Sequence, residues 1–147
     1  MTKKDWLLIL SSGLLFSAAF PPLPFGFLAY FFLFPLLIAL EDASPRKGFK
    51  RAYFFGLLSN FLLLYWMAWQ FFYGETWVLP GSIGALFILA IYPGVWGWLY
   101  CLIKKNFGNL ALILAPFLWV SLEWVRSLWE IGFPGWISAI PRPVTYL

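Results

Sequence analysis

The sequence predicts an all-α membrane protein of about five transmembrane helices, with the N-terminus in the cytoplasm and the C-terminus outside it. Three observations predict this. Of 147 residues, 63% are apolar and only 11% are charged, against about 25% charged in a soluble domain. The mean hydropathy of +0.83 and an aromatic content of 23% also fit a chain in lipid. The basic residues stand in short clusters between apolar runs, the pattern of loops sorted by the positive-inside rule. That placement argues against a nucleic-acid partner despite the net charge of +4.

The first run, residues 6–20, follows Lys3 and Lys4 and is about 22 Å long as a helix. A signal peptide ending at Ser17-Ala18-Ala19 is the rival reading. Four further apolar runs without a soluble segment favour a span. Pro21-Pro22-Leu23-Pro24 cannot sit inside a helix and reads as a tight turn. Residues 25–40 form the second run, with a kink expected at Pro35. The polar stretch 41–51, with Arg46, Lys47, Lys50 and Arg51, reads as a solvated cytoplasmic loop rather than a lipid-headgroup site.

Residues 52–72 are long enough to cross as a third span. Asn60 and Gln70 within it are expected to hydrogen-bond to neighbouring helices. The fourth span, 81–103, carries Gly81, Gly84, Gly94 and Gly97, a spacing that permits close helix packing. Lys104 and Lys105 start the next turn, and 110–129 is the fifth span. Eight of the ten basic residues then fall on one side, leaving Arg126 and Arg142 on the other.

Residues 116–134 (PFLWVSLEWVRSLWEIGFP) hold the candidate site. Glu123 and Arg126 are three apart and share a helical face. Trp119, Trp124 and Trp129 are expected to surround them, and the helix breaks at Gly132-Phe133-Pro134. A carboxylate and a guanidinium beside a span are costly unless paired or at the interface. The plain reading is an interfacial ion pair inside an aromatic belt. Among the carboxylates, Glu123 is the one expected to be buried.

Catalytic chemistry is not expected from these residues. The chain has no His, so imidazole acids, bases and metal ligands are excluded. Its one cysteine, Cys101, forms no intrachain disulfide and reads as packing, since a thiol in apolar surroundings is inert. No Gly-rich phosphate loop is present, and neither a cofactor nor a metal is implied.

Four segments resemble the apolipoprotein N-acyltransferases. Ser12-Gly13-Leu14-Leu15 through Ala19-Phe20-Pro21-Pro22 is similar to the start of that family. The basic stretch into Ala52-Tyr53-Phe54-Phe55-Gly56 resembles its third helix, and Leu64-Tyr65-Trp66 its Tyr-Trp segment. The most specific match is Leu118-Trp119-Val120, Leu122-Glu123-Trp124-Val125-Arg126 and Gly132-Phe133-Pro134, which resembles its fifth-helix signature.

The resemblance implies a multi-pass protein of the bacterial cytoplasmic (inner) membrane, with its C-terminus periplasmic. Membrane lipids are then its partners. In a full-length member, a periplasmic nitrilase-like domain with a Glu-Lys-Cys triad is implied. That triad takes an acyl chain from a phospholipid and passes it to the diacylglyceryl-cysteine of an apolipoprotein. No triad residue carries over, and Cys101 does not match the nucleophile. The expected division is a helical membrane domain over 1–134 and a divergent tail over 135–147. One nucleotide inserted before a legal set of codons for 135–143 restores a family-like continuation, consistent with a frameshift. By this reading the chain alone is an inactive fragment. The alternative is a small stand-alone polytopic protein, such as a transporter subunit or assembly partner.

Overall fold

A computed structural model describes residues 2–20, 25–69 and 78–127. Helices are the regular structure throughout these residues, and no strand occurs among them. The first helix, α1 (Lys3–Ala18), begins before the apolar run does. Thr2 caps it: its hydroxyl accepts from the Asp5 N–H at 3.3 Å, and its own N–H donates to Asp5 Oδ2 at 2.7 Å. This reciprocal box satisfies backbone donors that a helix start leaves free.

The second run is not one kinked helix. It is a short 3-10 helix (Gly26–Tyr30) followed by α2 (Leu33–Leu40). Pro35 is the physical reason. It cannot donate to the carbonyl of Phe31, so it fits only in the first turn of a new helix. The stretch 41–51 is also not a loop throughout. From Pro45 onward it is the first two turns of α3 (Pro45–Trp69). Pro45 takes the first helical position, where a missing N–H costs nothing, and Gly48 N–H donates to the Ser44 carbonyl at 2.8 Å.

The fourth run is two helices in near-continuity, α4 (Val78–Leu89) and α5 (Ile91–Phe107). Pro93 cannot donate to Leu89, which breaks the ladder at Ala90. Helical bonds resume on either side: Ala90 N–H donates to Leu86 and Gly94 N–H to Ala90. At its other end α5 stops at Gly108, whose φ of +58° lies in the region that favours glycine. The last helix is α6 (Leu110–Ser127). Two stretches, Pro80–Phe107 and Leu110–Ser127, are long and apolar enough to cross a membrane.

The closest helix approach is between α3 and α5. A Cβ on Gly97 would collide with that of Ala52, and one on Gly48 would sit 2.5 Å from Cys101 Sγ. A Cβ on Gly56 would meet Pro93 Cγ at 2.5 Å. Gly48, Ala52 and Gly56 thus form a small-residue stripe on α3 that receives α5. Gly94 and Gly97 join this contact, whereas Gly81 and Gly84 have nothing within 4 Å. Asn60 differs from expectation as well. It donates to the Gly56 carbonyl of its own helix at 2.8 Å, the local bond always in reach of a mid-helix amide. Gln70 lies outside the described residues.

The core holds Ile9, Leu36, Leu40, Phe55, Trp96 and Tyr100, each almost fully buried. Buried Ser12 donates to the Phe32 carbonyl at 2.7 Å and links α1 to the start of α2. The three basic clusters meet at one end. Arg51 Nη2 lies 2.6 Å from Asp5 Oδ2, and Lys104 Nζ lies 3.9 Å from Glu41 Oε1. From that end α6 carries Glu123 about 20 Å away, to the opposite end of the bundle.

Candidate functional site

At that opposite end α5 and α6 frame a small cleft lined by Tyr92, Pro93, Trp96, Trp119, Leu122 and Glu123. It has room for about one water molecule. Glu123 Oε2 lies 2.5 Å from Arg126 Nη2, the pairing that three-residue spacing predicts. Both side chains are about one quarter exposed. Glu123 thus lines the cleft with Arg126 as its countercharge and is not a lone charge there.

The tryptophans separate. Trp119 is four residues before Glu123, so the two lie on one face. Its ring meets Phe32 at 5.2 Å, Trp96 at 5.5 Å, Phe16 at 6.0 Å and Phe55 at 6.1 Å. It thereby ties α6 to α1, α3, α5 and the start of α2. The Trp96 indole N–H donates to the Ala115 carbonyl at 3.1 Å and adds a polar lock to this contact. Trp124 does not surround the ion pair. Five residues from Trp119, it is turned about 140° around the helix and is 65% exposed. Trp129, Gly132, Phe133 and Pro134 lie outside the described residues.

Glu123 is not the most buried carboxylate either. Among the described residues Asp5 is, and its partner Arg51 is 46 positions away. Arg51 also donates to the Ala39 carbonyl at the end of α2. One guanidinium therefore joins α1, α2 and α3. Thr2 backbone donation, then the Arg51 charge, hold the Asp5 carboxyl below its ordinary pKa, against the opposing effect of burial. A sequence signal for half of this corner existed: Thr2 and Asp5 have capping-box spacing. Nothing local pointed to Arg51.

Cys101 is buried at the α3–α5 contact, with Sγ 3.8 Å from the Leu40 carbonyl. Among the described residues its hydrogen-bond partner is that carbonyl and not a basic side chain, and the position is one of packing. No group of three His, Cys, Asp or Glu side chains capable of holding a metal occurs among the described residues.

The model of the apolipoprotein N-acyltransferase N-terminal domain matches residues 12–139. The chain belongs to this family. An apolipoprotein N-acyltransferase of Geobacter metallireducens is 34% identical over 140 residues, covering 92% of this chain and 26% of that protein. One from Methylococcus capsulatus is 33% identical over 142 residues, covering 92% of this chain and 28% of its own length. One from Vibrio cholerae is 31% identical over 152 residues, with 90% and 28% covered. The chain spans about a quarter of the length of these acyltransferases. No solved structure matches it. The N-acyltransferase match takes in Trp119, Glu123, Trp124 and Arg126, together with Gly132, Phe133 and Pro134.

Proposed function

We propose that this chain forms the membrane-embedded N-terminal part of an apolipoprotein N-acyltransferase, in the bacterial cytoplasmic membrane. The observation that carries this reading is the family match over residues 12–139. In the proposed topology five spans cross the bilayer: α1 from Trp6 onward, the 3-10 helix with α2, α3, α4 with α5, and α6. The meeting of the three basic clusters at one end supports a cytoplasmic N-terminus, since cations concentrate on that side. The Glu123–Arg126 pair and its cleft then face the periplasm. Residues 1–134 act as the membrane domain and 135–147 as the divergent tail.

In this role the helices hold and orient; they do not perform acyl transfer. Transfer from a phospholipid to an apolipoprotein amine needs an activated nucleophile. Cys101 is buried in packing at the end of the bundle away from the cleft. Trp119 and the Trp96–Ala115 hydrogen bond instead fix α6 against the bundle, a rigid platform for the periplasmic domain of a full-length member.

Reporter fusions after Lys105 and after Pro134 test the topology. The first should report the cytoplasm and the second the periplasm; both on one side would sink it. Incubated with phospholipid and a diacylated lipopeptide, the chain alone should yield no triacylated product. Product above a no-protein control would place chemistry within these residues.

A further inference from the structure

We propose that the basic end of the bundle is a binding surface for anionic glycerophospholipid headgroups of the cytoplasmic leaflet. The proposal rests on the topology above and adds a ligand to one end of it. The observation is the convergence of cations from three separate segments. Lys3 and Lys4 open α1, Arg46, Lys47 and Lys50 lie on the first two turns of α3, and Lys105 closes α5. The Asp5–Arg51 and Glu41–Lys104 contacts hold these segments side by side.

Two of the eight cations there, Arg51 and Lys104, are engaged by carboxylates. The other six are exposed, and among the described residues at this end Asp42 is the one carboxylate outside an ion pair. The excess positive charge is therefore not neutralised by the fold. It matches phosphodiesters, each engaged cation strengthening attachment about fivefold near an anionic membrane surface.

The surroundings favour lipid over a nucleic acid. Directly beyond the cations stand exposed apolar side chains. Trp6 and Leu7 follow Lys4 along α1, and Phe54 lies one turn past Lys50 along α3, each on the side of the cations towards the middle of the bundle. Trp6 and Phe54 also touch, with ring centroids 5.2 Å apart. A ring of cations bordered by an exposed aromatic level has the layering of a headgroup plane above hydrocarbon. A polynucleotide would meet those apolar side chains with phosphate.

The test uses the whole chain in mixed micelles of phosphatidylglycerol and phosphatidylcholine in equal amounts, with bound lipids counted by native mass spectrometry. Phosphatidylglycerol should be enriched at least about fivefold, the effect of one engaged cation. The triple variant Lys47→Gln, Lys50→Gln, Lys105→Gln should return the ratio towards parity. The same positions changed to Arg should keep the enrichment, which separates charge from misfolding. Parity in the native chain, or enrichment unchanged in the Gln variant, overturns the proposal. Displacement of the lipid by excess inorganic phosphate would mark a free-anion site and also overturn it, as would retention of a short RNA in place of lipid. Micelles have no sidedness, so the outcome is independent of the fusions. Enrichment with a periplasmic signal after Lys105 keeps the lipid surface and overturns the topology and the leaflet with it. A cytoplasmic signal without enrichment faults the lipid surface alone.

Discussion

Two ion pairs stand at opposite ends of this bundle, and they are built differently. Glu123 and Arg126 belong to one helix, one turn apart, each about a quarter exposed. Asp5 and Arg51 come from different helices and are only 11% and 13% exposed. The first pair forms wherever α6 forms. The second forms only when α1, α2 and α3 have docked, because Arg51 also serves the Ala39 carbonyl. The more buried pair therefore couples tertiary structure, while the more visible one decorates a single helix. Spacing in sequence reveals a contact without ranking its importance.

The largest effect is expected at the buried pair. Arg51→Met leaves the Asp5 carboxylate with the Thr2 N–H but without its countercharge and should lower stability in detergent by about 3 kcal/mol, the low end for a broken buried pair because this one keeps some solvent contact and one donor. A loss as small as that of Arg126→Met would erase the contrast between the two ends. The pH dependence sharpens it. The folded Asp5 carboxyl titrates below its ordinary value of 3.8. Its contribution is thus full above that value and lost as pH falls through the lower folded value. Thermal melts of the native chain and Asp5→Asn should converge as pH drops below about 4. A gap that widens with acid would contradict the sign.

A middle-sized effect tests what brings the buried corner together. Gly97→Val forces α5 away from Ala52 and should cost about 1–3 kcal/mol or more, as overpacking does. Gly84→Ala meets nothing within 4 Å and should be neutral or stabilising by up to about 1 kcal/mol. Equal effects at the two glycines in a denaturant titration would show that the α3–α5 contact is looser than described.

The smallest effect is expected at the visible pair. A double-mutant cycle of Glu123→Gln and Arg126→Met should give a coupling energy of about 0.5–1 kcal/mol, with the double change costing less than the two single changes added together. A coupling of zero would mean that each charge simply faces headgroups and water. A coupling above that at Asp5–Arg51 would invert the comparison.

Much of the fold was legible because much of it is local. Apolar length and the cation pattern called for a helical chain, and Pro35 marked a disturbance in the second run. The carboxylate and guanidinium three apart were bound to meet on one face. The misread element boundaries share one cause. Pro45 at a first helical position, and Pro35 and Pro93 each in the first turn of a new helix, act through bonds to residues before them. Pro35 and Pro93 divide runs that apolar content alone joins, and Pro45 starts α3 inside a stretch that polar content alone makes a loop. Trp124 was grouped with Trp119 by neighbourhood in sequence, although five residues turn it well round the helix.

By itself the sequence determined the helices, the capping box at Thr2 and Asp5, and the Glu123–Arg126 pair, since each depends on residues within one or two turns. Only the tertiary structure decided that Arg51 belongs to Asp5. It alone decided that Gly97 and not Gly84 receives a neighbouring helix, and that Trp119 gathers rings from three other helices. Those contacts join residues tens of positions apart, and their partners are chosen by how faces of helices dock. Every helix here has an apolar surface on several sides, so lipid and protein are equally acceptable to most of its side chains. Small residues in register and a few buried polar groups select the faces that turn inward.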